Sequence, residues 1–136
     1  MAHAKFKVEI LTPEGEVFND EVEMVSTRTS LGLIGILANM APVLGTLEPT
    51  ELRLYKTEND VVRFAQAEGY LQVGDNHALL LVEEAHAPDA LDAADLRERL
   101  RQAEHELDQA GDDTERHRMA TMDKQRWEAF LRVAEG

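Results

Sequence analysis

The chain of 136 residues contains no cysteine, which excludes disulfides and thiolate metal sites and leaves the redox compartment open. It also lacks any apolar run of about 18 residues, so we expect no membrane-spanning helix. The first residues, MAHAKFKVEI, have no long apolar core after their basic side chains, so we expect no signal peptide.

Basic side chains are scarce. The sequence has 14 Lys and Arg against 27 Asp and Glu, and its formal net charge is −13. Because phosphate binding needs a basic face, this balance disfavours nucleic acid as a partner and disfavours adsorption to anionic lipid. A hydrophobic content of 43% still supports a packed core, in one compact domain or a small domain with an appendage.

Motifs for catalysis are missing as well. There is no GxGxxG or GxxxxGK[ST] loop, no GxSxG elbow, and no HxH or HExxH spacing among the five histidines. The many carboxylates lie mostly at turns and alternating positions, where solvated charge is the ordinary explanation, and no pair stands out as an acid and base. We therefore predict a protein without catalytic residues, metal or cofactor.

What the sequence does contain, from Phe6 to Glu84, is a series of short strand patterns. Phe6, Val8 and Ile10 alternate with polar residues, and clusters such as Thr12-Pro13-Glu14-Gly15 punctuate the pattern with turns. Ala78 to Val82 is almost wholly apolar, which predicts a strand buried on both faces. About nine or ten strands at this spacing predict a β sandwich or flattened barrel.

The least polar stretch runs from Leu33 to Pro49 and contains neither Lys nor Arg. Its two apolar runs are separated by the residues Ala38-Asn39-Met40-Ala41-Pro42, so we interpret it as strand, turn and strand. Two interpretations of that turn stay open here. Met40 packs back into its own core, which is the default for an apolar side chain, or the tip is a docking surface for another protein.

After Ala87 the pattern becomes helical. Asp89 or Asp92 is placed to cap a first helix that ends at Gly111, and Asp112, Asp113 or Thr114 is placed to cap a second that runs to about Ala134. A connection of about three residues predicts an antiparallel hairpin. The apolar stripe of the first helix is Leu96, Leu100, Ala103, Leu107 and Ala110, and the apolar set of the second is Met119, Met122, Trp127, Phe130, Leu131 and Val133.

The second helix is basic for an acidic protein. Residues 113–136 carry 5 basic and 5 acidic side chains, whereas residues 1–84 carry 6 and 14. One interpretation is a solvated face with local ion pairs of about 0.3–0.5 kcal/mol each. The other is that the hairpin leaves the sandwich and lays this helix against an acidic partner.

The order of these pieces resembles the epsilon subunit of F-type ATP synthases over essentially the whole chain. FKVEILTPEG at residues 6–15 looks like that family's first strand and turn, and GLIGILANMAPVLGTL at residues 32–47 looks like its most recognisable segment. GYLQV at residues 69–73 and the strand at residues 78–82 are similar to its last sandwich strands. No single motif is strong, whereas the order and spacing together are specific.

The resemblance implies a ten-stranded sandwich over residues 1–87 and a regulatory helical hairpin over residues 88–136. It implies a non-catalytic rotor subunit of the central stalk, whose sandwich binds the gamma subunit and the ring of c subunits, coupling proton flow to ATP synthesis. Ala38, Asn39, Met40, Ala41 and Pro42 fall where the family touches the ring or gamma. An extended hairpin would inhibit ATP hydrolysis, with Arg116, Arg118, Lys124 and Arg126 facing an acidic segment of the catalytic beta subunits.

The resemblance also implies a cellular location, and it raises the question of whether the chain binds ATP. Without a transit peptide, the cytoplasmic face of a bacterial inner membrane is expected before a plastid thylakoid. Some bacterial members bind ATP through an [IL]-D-x-x-R-A motif, of which this chain keeps Leu91 and Asp92 but has Asp95 in place of Arg and Leu96 in place of Ala. Because Asp95 would repel a triphosphate, we predict weak or no ATP binding.

The sequence departs from the family's pattern at four positions, and two other protein classes stay open. The family commonly has Pro at the position of Ala38, His at that of Met40, and Gly at those of Thr50 and Glu68, which leaves the detail of the ring-facing loop open. A sandwich module for a small ligand or sugar would need an aromatic-lined groove, and the chain has one Trp, two Tyr and four Phe. A cupin-like metalloenzyme would need clustered His and Glu, which the spacing does not supply.

Overall fold

The computed structural model describes residues 3–136, which form ten strands followed by two helices. The predicted sandwich and helical hairpin are confirmed. The strands are β1 (Phe6–Thr12), β2 (Gly15–Val22), β3 (Met24–Thr29), β4 (Gly32–Leu37), β5 (Val43–Leu47), β6 (Thr50–Thr57), β7 (Asp60–Gln66), β8 (Gly69–Gly74), β9 (His77–Val82) and β10 (Ala85–His86).

Hydrogen bonding links all ten strands, in the order β10-β7-β6-β3-β5-β8-β9-β1-β2, with β4 paired to β3. The path turns a corner at β3, which pairs with β6 near Met24–Ser26 and with β5 at Thr29. Two layers result: β10, β7, β6, β3 and β4 form one, and β5, β8, β9, β1 and β2 form the other. All pairings are antiparallel except that of β1 with β9, which is parallel.

The core lies between these layers. It is built from alternate residues of the strands, including Val8, Ile10, Val25, Leu52, Leu54 and Leu80, because successive side chains of a strand point to opposite faces. One polar pair is buried with them. The Thr27 hydroxyl donates to Gln66 Oε1 at 2.6 Å, and Gln66 Nε2 donates to the Glu48 carbonyl at 3.0 Å, so the amide is satisfied inside the sandwich.

The prediction that residues 78–82 are buried on both faces is wrong. Ala78, Leu80 and Val82 are buried, whereas Leu79 is partly exposed and Leu81 keeps 44% of its surface. Neighbouring strands β8 and β1 flank β9, but no second layer covers its outward side in the described chain. The apolar composition of this strand therefore has another cause than a second buried face.

The helices are α1 (Ala93–Ala110) and α2 (Thr114–Glu135), preceded by a short 3-10 turn at Pro88–Ala90. Asp92 caps α1, accepting from the Asp95 N–H, and Asp113 caps α2, accepting from the Arg116 N–H, which decides among the predicted cap residues. The stripe of α1 is confirmed, with Leu96, Ala103 and Ala110 buried. On α2 the apolar set is divided between core and surface, since Phe130 and Val133 are buried and Met119 is 55% exposed.

Candidate functional site

Residues 38–42, the predicted contact loop, connect β4 to β5 and are tied to the β8–β9 turn. Asn39 has a φ of 62°, and its N–H donates to Asn76 Oδ1 at 2.5 Å. Asn76 Nδ2 donates back to Asn39 Oδ1 at 3.1 Å, so the loop is held by a side-chain bridge. Ala38 and Met40 pack against the sandwich core, which favours the interpretation that Met40 returns to its own domain. The outward surface of the loop consists of Asn39, Ala41 and Pro42.

A second apolar tip, which was not predicted from the sequence, lies at the turn between β3 and β4. Leu31 is 99% exposed there, and Leu33 is exposed beside it. The turn is fixed by Thr29, whose hydroxyl accepts from the Leu31 N–H at 3.1 Å, and by Gly32, which adopts a φ of 120°. A signal was present: Leu31 and Leu33 lie on either side of a glycine that follows a strand, where polar turn residues are usual.

An apolar outer face on β5, β8 and β9 was likewise not predicted from the sequence. Pairing places Tyr70 opposite Thr46 and Leu81, and Leu44 opposite Gln72, so these side chains share one side of the sheet. Leu44 and Tyr70 are well exposed, and Leu11 of β1 extends the surface beside Leu81. We call Leu11, Leu44, Tyr70, Leu79 and Leu81 the apolar outer face.

A shallow depression of about 610 Å³ opens at one end of this face, lined by Leu11, Pro13, Tyr70 and Leu81 among others. A contiguous exposed apolar surface is typical of a protein–protein contact. The sequence signal for this face was the presence of apolar residues at positions of GYLQV and ALLLV that do not face the core, namely Tyr70, Leu79 and Leu81. That signal had been assigned to burial on both faces of β9.

The four basic residues predicted to meet a beta subunit already have different surroundings in the folded chain. Arg116 donates to Glu106 of α1 at 2.5–2.8 Å, and Arg118 pairs with Glu115 in its own helix at 2.6 Å. That pairing holds the pKa of the Glu115 carboxyl below its usual range. Lys124 is half-buried. Arg126 points away from the other three, toward the sandwich.

The helical hairpin packs on the β6–β7 layer, away from the apolar outer face. Phe130, which is 1% exposed, lies with Val133 of α2 and Leu96 of α1 against Ala65 and Ala67. The His86 ring meets the Phe130 ring edge-on at 5.8 Å. Arg126 donates to Glu84 Oε2 at 2.9 Å and also to a carboxylate oxygen of Glu68. The contact between sandwich and hairpin is therefore both apolar and ionic.

The segment compared with a nucleotide motif is occupied by internal contacts. Asp92 is engaged as the cap of α1, and Asp95 accepts from Arg99 Nε at 2.8 Å. Arg99 also lies over the Trp127 ring, 5.1 Å from its centroid. The depression between these residues measures about 220 Å³ and carries the carboxylates Glu84, Asp92 and Asp95. The cation of Arg99 is already neutralised by Asp95, so little positive charge faces an incoming phosphate.

Residues 3–136 contain neither a metal-binding cluster nor a membrane-spanning helix. No three His, Asp or Glu side chains there are arranged to hold a metal ion. Neither helix is long and apolar enough to cross a membrane.

Comparison with known proteins gives a family. Residues 5–88 match the family model for the ATP synthase delta/epsilon chain, β-sandwich domain. The ATP synthase epsilon chain 2 of Syntrophotalea carbinolica is 36% identical over 103 residues, covering 76% of this chain and 74% of that protein. The chain belongs to the ATP synthase delta/epsilon family. The resemblance drawn from the sequence is confirmed.

Other members of the family extend the likeness to the hairpin. The ATP synthase epsilon chain of Priestia megaterium is 35% identical over 78% of this chain and 78% of its own length. The epsilon chain of a Sulfurihydrogenibium species is 29% identical over 95% of this chain and 96% of its own. Members of this family are non-catalytic stalk subunits of ATP synthase, and this confirms the prediction of a subunit that is not itself an enzyme.

Solved structures show the same fold at low sequence identity. A chain of the Euglena gracilis mitochondrial ATP synthase, in a structure of OSCP, F1 and c-ring, has a TM-score of 0.83 at 17% identity and covers all of this chain and 84% of that one. A chain of the central stalk and c-ring of the Tetrahymena thermophila mitochondrial ATP synthase has a TM-score of 0.63 at 18% identity, covering 98% of this chain and 99% of that one.

Proposed function

We propose that this epsilon-type subunit joins the gamma subunit to the c-ring through its sandwich and inhibits ATP hydrolysis through its hairpin when the hairpin extends. The observation that supports it most is the separation of two surfaces. The hairpin packs on β6 and β7, while the apolar outer face lies on β5, β8 and β9 in the other layer. A partner on that face leaves the hairpin free to dock or extend.

The apolar outer face is the proposed contact for gamma. Leu44, Tyr70 and Leu81 supply exposed apolar area around one aromatic side chain. The buried centre of a protein–protein contact is more apolar than its rim and is enriched in aromatic residues. A subunit that transmits rotation needs a second contact elsewhere. The loop of residues 38–42 and the tip at Leu31 lie at opposite ends of β4, and they are the proposed contacts with the c-ring and the adjoining part of gamma.

The absence of cysteine makes these assignments testable by cross-linking. Single cysteines at Leu44, Leu31 and Ala41 would carry a short photoreactive group in the reassembled complex. We expect Leu44→Cys to capture gamma. Because Leu31 and Ala41 lie at opposite ends of β4, we expect one of Leu31→Cys and Ala41→Cys to capture c and the other to capture gamma. Glu14→Cys, in the exposed β1–β2 turn, is the matched control. Capture of neither subunit from Leu44 would contradict the assignment of the apolar outer face.

For the hairpin, the proposed contact is between the basic side chains of α2 and an acidic segment of the catalytic beta subunits. Arg116, Arg118 and Lys124 lie along the half of α2 that does not enter the sandwich, and Arg126 becomes available when the hairpin leaves it. Opposite charge steers such an encounter and favours the extended state when the acidic surface is near.

The decisive experiment is ATP hydrolysis by a matching catalytic head stripped of this subunit. The full chain or a truncation ending at Ala87 is added back. The truncation keeps β1 to β10 and so keeps the sandwich surfaces. Stronger inhibition by the full chain supports a regulatory hairpin. Equal binding and equal activity would reduce the function to coupling gamma to the ring.

The relatives from bacteria support placement of the complex on the cytoplasmic face of a bacterial inner membrane, with this subunit held there by its partners. Fractionation of the source cells tests this placement. The subunit is expected in the membrane fraction and in the soluble fraction after the catalytic head is released by low salt.

A further inference from the structure

Arg126 connects the hairpin to the sandwich by a two-armed ionic contact. Its Nη1 donates to Glu84 Oε2 at 2.9 Å, and its Nη2 donates to Glu68 Oε1. The side chains of Arg126 and Glu68 are about 20% exposed, much less than those of the other ion pairs of α2. Charge-assisted hydrogen bonds that are partly shielded from water are stronger than those on the open surface.

The backbone segments that carry the two carboxylates are paired with each other within the sandwich. The Ala67 N–H donates to the Glu84 carbonyl at 2.9 Å, and the Glu83 N–H donates to the Glu68 carbonyl at 3.0 Å. These backbone bonds place Glu68 and Glu84 side by side, where β8 begins and β9 ends. Segments that are already paired lose little backbone freedom when their side chains receive a guanidinium group.

Aromatic side chains of the helix and of the sandwich lie around the Arg126 ion pairs. Trp127 and Phe130 meet edge-on at 5.8 Å, and the guanidinium of Arg126 lies 5.6 Å from the centroid of the Trp127 ring. The second carboxylate oxygen of Glu84 contacts His86 Nε2 at 2.9 Å. One part of Arg126 is left unsatisfied: its Nε is buried with no hydrogen-bond partner in the described chain. The guanidinium group of Arg126 is therefore paired at two of its three nitrogens.

The other arginine pairs of the hairpin close within it. Arg97 pairs with Glu135, Arg99 with Asp95, Arg101 with Glu98, Arg116 with Glu106 and Arg118 with Glu115. These pairs travel with the hairpin whether it is docked or extended, so they do not distinguish the two states. The Arg126 pairs exist in the docked state and are broken in any extended one.

We propose that Arg126, Glu68 and Glu84 form a latch that holds the hairpin docked on the sandwich, and that release of this latch is what makes the hairpin available as an inhibitor. The second half of this statement rests on the proposed function. Arg126 cannot contact Glu68 and a beta subunit at the same time. Its guanidinium group therefore stabilises either the docked or the extended state of the hairpin, but not both. Glu68 acts in the docked state alone.

The first test uses the isolated full-length chain, so it is independent of the inhibitory role. Hydrogen exchange at the amides of α2 is compared for the wild type, Glu68→Gln and the matched control Glu98→Gln, which removes the same charge from a pair within α1. Local opening frees these amides without unfolding the sandwich. The amides of β1 and β9 serve as the internal reference for global stability.

We expect Glu68→Gln to speed exchange in α2 by about tenfold, the effect of losing one charge-assisted hydrogen bond. Exchange in β1 and β9 should not change, and Glu98→Gln should match the wild type. Higher salt should also speed α2 exchange in the wild type and less so in Glu68→Gln, because screening weakens the same contact. Equal α2 exchange in Glu68→Gln and Glu98→Gln would overturn the latch.

The second test separates the latch from the proposed function by adding the variants to the stripped catalytic head. Glu68→Gln should inhibit hydrolysis several-fold more strongly than the wild type, because more of the hairpin is free. Arg126→Gln should release the hairpin equally in the exchange experiment but inhibit less than Glu68→Gln. If exchange changes as expected while no variant inhibits, the latch stands and the inhibitory function fails. If Glu68→Gln inhibits no more than the wild type although the wild type inhibits, the regulatory half of the proposal is overturned.

Discussion

At the scale of single residues, Gly69 shows why the first residue of β8 must lack a side chain. The sequence marks it as a break between two apolar runs, and the structure gives the reason. A Cβ at this position would lie 1.9 Å from the Leu81 carbonyl oxygen and 2.8 Å from Val82 Cα. Because these are backbone atoms of a paired strand, neither moves without distorting β9.

We therefore expect Gly69→Ala to lower the free energy of unfolding by about 2–3 kcal/mol, the cost of overpacking against rigid backbone. The control is Gly35→Ala in β4, where an added Cβ meets nothing within 4 Å. Urea unfolding followed by circular dichroism measures both. Equal midpoints for the two variants would show that β9 yields at little cost.

Glu51 is a residue whose charge state should affect stability. Its carboxylate accepts from Arg63 Nη2 at 2.6 Å and also from Arg53, and these hydrogen bonds lower the pKa of Glu51 below its usual range. A lowered pKa in the folded state means that the pair stabilises the protein above roughly pH 4.3, the ordinary glutamate pKa. This contribution is lost as the pH falls through the lowered value.

Glu51→Gln should accordingly cost about 0.5–1 kcal/mol at pH 7, since the pair is partly exposed to water. The difference from the wild type should shrink to nothing at acid pH. Denaturant midpoints between about pH 7 and pH 3 test this, with Glu14→Gln in the exposed β1–β2 turn as control. A cost that stayed constant with pH would show that Glu51 acts by packing.

At the scale of elements, the hairpin is a separate layer whose stability comes from its contact with β6 and β7. Two short helices bury little surface by themselves and are marginal in water. The stripe of α1 faces α2, and Phe130 and Val133 of α2 face Ala65 and Ala67. The small alanines on the sandwich let the Phe130 ring approach closely.

Phe130→Ala should therefore release the hairpin without unfolding the sandwich. The lost burial and the cavity together amount to about 3–5 kcal/mol, which is comparable to the whole contact. In limited proteolysis the hairpin should be cut rapidly and a fragment ending near Ala87 should survive. Met119→Ala removes an exposed side chain of the same helix and should resist like the wild type. Simultaneous loss of both parts of Phe130→Ala would mean that sandwich and hairpin unfold as one unit.

At the scale of the whole molecule, the net charge of −13 and the local ion pairs argue together against nucleotide binding. Leu91 and Asp92 match the start of the motif, but Asp92 is used as a helix cap and Asp95 neutralises Arg99. A triphosphate would meet carboxylates where it needs cations.

We expect titration calorimetry with ATP at sub-millimolar concentration to give no binding heat for the wild type. The variant Asp95→Arg replaces the acidic residue by the one that the motif has, and any ATP binding that appears in it would identify Asp95 as the obstacle. A clear binding isotherm for the wild type would contradict the prediction.

Local patterns in the sequence were enough to predict the order of the strands and helices. Alternation fixes the strands, because period two is the geometry of an extended chain, and the stripe from Leu96 to Ala110 fixes α1 by the period of a helix. The family also followed from local order and spacing, since GLIGILANMAP and GYLQV stand in fixed sequence along the chain. The helix caps were narrowed to two or three neighbouring residues by their chemistry.

Which apolar and charged residues contact one another could not be predicted from local patterns and is known from the folded chain. The sequence ALLLV is compatible both with a strand covered on its outward side and with one left open there. The apolar outer face could therefore be recognised only once the structure showed that nothing in the described chain packs on Leu81. Arg126 reads as one more cation on a basic helix, and its distance of 58 positions from Glu68 hides their contact. Such pairs depend on how distant segments fold together, and local pattern carries no record of that.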